Sequence, residues 1–139
     1  MGIEVNWLAI VLAALSTLVI GSVWYAPQVF GKQWERLIHR PKGQKAPDAA
    51  RAISIALVMA LVTAYALAYL AFLTNQYFDR SFLTDSLATA FWVWLGLTAA
   101  RVVTHDSFEG RPQRLTLLTM GHEFVTFMIM GLIIGLLAP

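Results

Sequence analysis

The stretch that decides the fold runs from Ala52 to Leu73 and reads AISIALVMALVTAYALAYLAFL. It contains no charged residue, and it is long enough to cross the hydrocarbon core of a bilayer, which takes roughly 20 apolar residues in a helix. A helix of this composition has no polar face with which to meet water. The stretch therefore predicts a membrane-spanning helix and argues against a soluble bundle.

Three other stretches have the same character. They extend from about Trp7 to Ala26, from about Leu83 to Val103 and from about Leu115 to Leu137. Thr84 or Asp85 is expected to cap the third of these helices. With 58% hydrophobic and 13% charged residues in a chain of 139, the composition is that of a membrane protein. The predicted fold is a single domain, an all-α integral membrane protein with a compact bundle of four transmembrane helices.

The basic residues indicate the direction of the helices. Of the ten Lys and Arg residues, only Arg80 falls between the second and third spans, and neither terminus carries any. The positive-inside rule then places the two basic loops, 27–51 and 104–114, in the cytoplasm and both termini outside. The chain is therefore predicted to be a multi-pass membrane protein.

The first basic loop contains an amphipathic segment, from about residue 28 to residue 40. Phe30, Trp34, Leu37 and Ile38 fall on one side of a helix, and basic residues fall on the other. This pattern predicts a short cytoplasmic helix in the membrane interface. Two roles stay open for it: an anchor attracted to anionic lipid, and a gate or docking element for a partner.

Small residues recur at every fourth position of the spans. Alanines do so through the second span, and the fourth span ends in GLIIG, Gly131 to Gly135. Such spacing lets helix backbones approach closely in lipid. Gly131 and Gly135 are predicted to pack either within the chain or between two copies, which makes a homo-oligomer one expectation. Membrane lipid is the expected partner, and with a net charge of only +2 no nucleic acid is expected.

The main candidate site is a glutamate in the fourth span. Glu123 lies roughly 12 Å below the cytoplasmic end at 1.5 Å per residue, where a charge costs about 2.5 to 3.5 kcal/mol. It must be paired, hydrated or protonated. The neighbouring His122 points about 100° away on the helix, so the two are not expected to act as one chelating unit.

Partners for Glu123 are expected on the neighbouring spans. In a symmetric hairpin Trp94 lies opposite the carboxylate, and Arg101 lies roughly 12 Å nearer the cytoplasm, a distance that a skewed hairpin would reduce. Ser22 and Tyr25 of the first span are alternatives. The candidate intramembrane polar site comprises Glu123, His122, Arg101, Thr119 and Trp94.

Other chemistry finds little support in the sequence. The chain has no cysteine, which excludes disulfides and thiolate metal sites. His105, Asp106 and Glu109 of the third connection lack a recognised ligand spacing, so no metal or other cofactor is predicted. No phosphate-binding glycine loop or nucleophile elbow is present.

Several motifs resemble a known family. WYAPQVFGKQW, Trp24 to Trp34, is similar to the WYSPLLFGKxW signature of the domain-of-unknown-function family 1761, with Ala26 in place of the usual Ser. WLG at 94–96 and FEGRPQRL at 108–115 resemble its later motifs. The resemblance covers nearly the whole chain and implies a small bacterial four-helix membrane protein. With the predicted spans, it gives the bacterial inner (plasma) membrane as the expected localisation. It implies no activity.

The resemblance directs attention to a second candidate site at the cytoplasmic face. Here Glu109 and Arg111 would join the first loop to the third connection through Lys32 and Glu35. We call this site the clasp; its candidate members are Trp24, Tyr25, Lys32, Trp34, Glu109 and Arg111.

Three functions are compatible with these features. The first is a non-enzymatic membrane protein that binds a lipid or a membrane partner, which predicts a closed core at Glu123. The alternative is a small proton- or cation-coupled transporter that uses Glu123, which requires a water-accessible cavity there. An enzyme acting on a membrane-embedded substrate ranks last, because no nucleophile or metal set is present.

Overall fold

A computed structural model describes residues 2–139, which contain helices and no β-strand. Four of the helices are long and apolar enough to cross a membrane, and a short helix follows the first of them. The prediction of an all-helical chain with four long apolar helices is confirmed. The helices are α1 (Trp7–Trp24), α2 (Gly31–Leu37), α3 (Ala49–Tyr77), α4 (Phe82–Glu109) and α5 (Gln113–Leu136).

Side chains outside the helices fix where the helices begin. The Asn6 side chain accepts hydrogen bonds from the first backbone amides of α1, and Asp48 accepts one from the amide of Ala50. Ser81, and not Thr84 or Asp85, caps α4, because its hydroxyl accepts the Thr84 amide. Each contact satisfies a backbone donor that has no partner within the helix.

The connection between α4 and α5 is much shorter than the sequence predicts. Helix α4 continues to Glu109, and Gly110 ends it in a left-handed conformation with φ 67°. Glycine is favoured at this position because it has no Cβ to clash. His105, Asp106 and Glu109 therefore lie on the helix and not in a loop.

The four long helices form a ring in which each packs antiparallel against its neighbours. Helix α1 contacts α3 and α5, and α4 contacts the same two helices from the other side. Small side chains dominate the buried centre, among them Ala13, Ala14, Ala64, Ala68 and Ala90. The predicted close packing through alanine is thus present within one chain.

Gly131 and Gly135 pack inside the chain, where α5 crosses α4. A Cβ added at Gly131 would lie 2.7 Å from the Cβ of Ala90, and one added at Gly135 would lie 2.9 Å from the Cα of Leu83. The surface that the sequence offered for contact between copies is therefore covered by α4.

The bundle is closed at one end and open at the other. We call the end with residues 25–48 and the α4–α5 turn the basic end. The buried residues of α1 all lie in its first half, from Ala9 to Ala14. Residues 49–56, the start of α3, are exposed, and the first buried residue of α3 is Ala60. Helices α1 and α3 therefore pack together far from the basic end and leave space beside it.

Candidate functional site

A cleft of about 770 Å³ occupies the space between α1, α3 and α5 near the basic end. Gly21 of α1 and Ala56 and Ala60 of α3 are part of its wall, and their small side chains leave it unfilled. Most of the remaining wall is apolar. The polar lining residues are Thr17, Ser22, Tyr25, Thr63, His122, Glu123 and Thr126.

Glu123 lies on the wall of this cleft. Its side chain is 32% exposed, and its Oε1 lies 3.4 Å from Nδ1 of His122. Within residues 2–139 the carboxylate accepts no hydrogen bond. The two side chains meet although their Cβ atoms point about 100° apart, because both are long enough to converge in the open space. The carboxylate thus faces a cavity. The closed core that the sequence argument expected of a lipid- or partner-binding protein is wrong.

His122 connects the cleft to the aromatic end of α1. Its ring lies 5.2 Å from that of Tyr25 and 6.0 Å from that of Trp24, measured between centroids. Nε2 of His122 and Nε1 of Trp24 are both buried without a hydrogen-bond partner in the described chain. Gly121 allows the Trp24 ring to lie close to α5, since a Cβ at Gly121 would be only 3.2 Å from that ring.

Tyr25, the residue that follows α1, forms part of the cleft wall. Burial raises the pKa of its phenol, and the negative charge of Glu123 raises that pKa further. Both effects disfavour a second negative charge beside Glu123. Tyr25 therefore remains a neutral phenol at neutral pH.

The structure separates the other members of the predicted intramembrane site from Glu123. The Trp94 indole donates to the carbonyl of Met120 at 3.2 Å, on the side of α5 that packs against α4. Arg101 is exposed and pairs with no acidic residue in the described chain, and Thr119 does not line the cleft. Of the five candidates, only His122 and Glu123 come together.

A π-helical stretch from Trp94 to Ala99 contributes to this separation. Its hydrogen bonds span five residues and not four, which rotates the rest of α4 relative to a regular α-helix. The spacing from Trp94 to Arg101 therefore no longer places the two side chains on one face. The sequence argument assumed a regular helix throughout.

The aromatic members of the clasp come together across the turn between α1 and α2. Tyr25 packs against Trp34 with ring centroids 5.5 Å apart. Trp24 packs against Phe30, which was not a predicted member, at 4.7 Å. These contacts require a tight turn between α1 and α2. A Cβ at Gly31, the first residue of α2, would lie 2.9 Å from the carbonyl carbon of Ala26.

The charged members of the clasp do not join the two connections. Arg111 contacts Glu109 at 3.9 Å, within the same connection, and contacts Asp106 at 3.5 Å. Lys32 is exposed and forms no ion pair with the acidic residues described. Arg111 therefore belongs to the hairpin between α4 and α5.

Asp106 is a buried residue whose role the sequence did not reveal. The Thr116 hydroxyl donates to its Oδ2 at 2.6 Å, and the Arg111 amide donates to its backbone carbonyl at 2.9 Å. Asp106 therefore fixes the start of α5 against the end of α4. The one sequence feature that could have indicated this role is its position four residues before Gly110, the residue that ends the helix.

Asp85 is a second buried carboxylate, at the far end of the bundle. It is fully buried, and Nη2 of Arg80 lies 2.7 Å from its Oδ1. Asn75 of α3 donates to the other oxygen at 2.8 Å. Unlike Glu123, this carboxylate has partners on both oxygens, as a structural group requires.

The turn between α1 and α2, with its aromatic side chains and Gly31, lies within the stretch Trp24 to Trp34, which resembles a family motif. A family model described as protein of unknown function (DUF1761) matches residues 8–135. The chain belongs to this family. The match covers α1 to nearly the end of α5 and confirms the resemblance. No curated protein sequence and no solved structure matches the chain.

Proposed function

We propose that this DUF1761 protein is a non-enzymatic, multi-pass protein of the bacterial inner membrane that binds a membrane-soluble ligand in the cleft between α1, α3 and α5. The ligand is a lipid or a smaller amphiphile. The observation that carries the proposal is the cleft itself, an apolar cavity of about 770 Å³ with a carboxylate on its wall. Ligand pockets have volumes of roughly 300 to 1,000 Å³, mostly apolar walls and a few polar groups.

The outer surface of the bundle supports membrane insertion. Large apolar side chains are exposed on all four long helices, for example Val19 at 65%, Val62 at 59%, Leu97 at 68% and Leu117 at 62%. Soluble monomers rarely expose apolar patches of this extent. In a bilayer the same side chains contact lipid chains at no cost.

The orientation follows from the charges and is open to a direct test. Because the chain has no cysteine, single thiols report on each side of the membrane. We expect Asp79→Cys, between α3 and α4, to react with a membrane-impermeant maleimide in intact cells. Lys42→Cys should react only after the membrane is opened. The reverse pattern would contradict the proposed placement of the basic loops in the cytoplasm.

Two alanines of α3 provide a matched test of ligand binding. Ala56 and Ala66 are both exposed, but only Ala56 lines the cleft. Ala56→Trp should fill the cavity without disturbing buried packing, whereas Ala66→Trp should place the same indole outside the cleft. Native mass spectrometry in mild detergent then measures how much lipid or amphiphile stays bound to wild type and to each of the two variants.

The expected result is a bound molecule that wild type and Ala66→Trp retain and Ala56→Trp loses. Equal retention by all three proteins would mean that the molecule binds elsewhere on the apolar surface. The absence of any bound molecule after addition of an excess of inner-membrane lipid would contradict the lipid form of the proposal.

A second candidate, proton- or cation-coupled transport, is favoured by one observation. Glu123 faces the cleft and accepts no hydrogen bond from the described chain, so its charge is available to an ion. In liposomes a coupled flux should disappear in Glu123→Gln and persist in Glu35→Gln, which removes the same charge from α2. If the protein binds a ligand in the cleft but carries no coupled flux, transport is contradicted and ligand binding is retained as the function.

A further inference from the structure

We infer that the cleft selects an amphiphilic cation, a molecule with one positive charge on a bulky apolar or aromatic body. This inference rests on the proposed function and names the chemical class of the ligand. It is carried by the charge balance of the cleft wall and by the aromatic side chain of Tyr25, which follows α1.

The charge balance of the lining is negative. Glu123 is the acidic residue of the wall, and no lysine or arginine lines the cleft. His122 touches the carboxylate but is charged only when protonated. A charge in a mostly apolar cavity interacts more strongly with a counterion than it would in water. The lining therefore favours a positive ligand and repels a negative one.

Two groups beside Glu123 lack partners in the described chain. Thr126 lines the cleft, is only 7% exposed, and its hydroxyl makes no hydrogen bond. It lies three residues after Glu123, on the same face of α5. Nε2 of His122 is buried without a partner as well. Both atoms are closed off from solvent, so the charge of Glu123, and not these two atoms, is what a ligand in the open cleft would meet.

Tyr25, an aromatic residue of the cleft wall, suits a cation. Tyr25 lines the cleft within 5.2 Å of the His122 ring, measured between centroids, and Trp34 packs behind it. Aromatic faces attract cations, most strongly where water is excluded. The basic residues that would attract an anionic headgroup, such as Arg51, are exposed and do not line the cleft. The wall therefore favours a cation over an anionic lipid.

The test uses three probes of similar shape and different charge. They are tetraphenylphosphonium, tetraphenylborate and neutral triphenylphosphine oxide. Equilibrium dialysis with the purified full chain in a non-ionic detergent gives the dissociation constant of each. We expect the phosphonium to bind at least 10-fold more tightly than the borate. This comparison uses wild type alone and so does not depend on how any variant folds.

Variants then assign the selectivity to the carboxylate. Glu123→Gln should weaken phosphonium binding at least 10-fold, Glu123→Asp should largely retain it, and Glu35→Gln should leave it unchanged. Equal binding of phosphonium and borate, with both reduced by Ala56→Trp, would overturn the cation inference and leave the cleft as a binding site. Tighter binding of the borate would point to an anionic lipid. If no probe responds to Ala56→Trp, both this inference and the proposed function fail.

Discussion

Replacing Gly131 by alanine tests a close contact between α4 and α5. The added Cβ would lie 2.7 Å from the Cβ of Ala90 and 3.1 Å from the carbonyl oxygen of Ser86. Carbon atoms prefer a separation of about 3.5 to 4.0 Å, so α4 and α5 would have to move apart by roughly 1 Å. Overpacking of this kind costs about 1 to 3 kcal/mol.

The expected effect is large enough to measure as a change in melting temperature. At roughly 3 °C per kcal/mol for a chain of this size, Gly131→Ala should lower Tm by about 3 to 9 °C. Thermal unfolding in a mild detergent, followed by the loss of the monodisperse peak in size-exclusion chromatography, gives Tm for both proteins. Gly96→Ala is the matched control, because a Cβ at Gly96 meets nothing within 4 Å.

Two results would refute the reasoning. If Gly131→Ala melts at the wild-type temperature while Gly96→Ala does too, α4 and α5 are not in the described contact. If Gly131→Ala instead changes the oligomeric state, with a Tm that depends on protein concentration, the glycines lie between copies of the chain.

Three further substitutions test other contacts by the same unfolding measurement. Asp85→Asn should lower the free energy of unfolding by about 2 kcal/mol, because the charged acceptor of its buried hydrogen bonds is lost; the exposed Asp79→Asn should change it by less than about 0.5 kcal/mol, and equal effects would contradict the buried network. Gly31→Ala should cost about 1 to 3 kcal/mol by forcing apart the turn before α2, and a wild-type Tm would contradict that turn. Trp94→Phe should cost about 1 kcal/mol for its lost hydrogen bond to α5, whereas the 66% exposed Trp92→Phe should be neutral; identical effects would argue against the bond.

The four long helices were predictable because each corresponds to one continuous apolar run of the sequence. A segment in lipid must satisfy its own backbone hydrogen bonds, so an apolar run such as 52–73 indicates a helix by itself. The end of α4 was not predictable in the same way. Residues 104–109 are polar enough for a loop, and only the Gly110 turn and the buried Asp106 show that the helix continues.

The candidate site was predictable in part. Glu123 stands out because a carboxylate in an apolar run is costly. Its surroundings depend on features that the sequence does not encode locally. The divergence of α1 from α3 opens the cleft. The π-helical stretch from Trp94 to Ala99 takes Arg101 off the face of α4 that carries Trp94. Ser22 of α1 and Tyr25, which follows α1, were the alternative partners, and both line the cleft.

Asp85 illustrates a polar residue whose role depends on tertiary contacts. Its position near the start of an apolar span suggested a cap, but Ser81 fills that role. Asp85 instead faces inward, where Arg80 and Asn75 neutralise and bind it. A pairing across ten residues and two helices cannot be deduced from helix-end rules alone.

The most direct test of the central claim compares two adjacent residues of α3 as single cysteines in the membrane. Val58 and Met59 have the same exposed fraction, 54%, but only Met59 lines the cleft. Because a thiol reacts with maleimide only as a hydrated thiolate, Met59→Cys should be labelled and Val58→Cys, in contact with lipid, should not. Failure of both to react would contradict a cleft that is open at the basic end, and equal labelling of both would contradict a membrane-embedded helix.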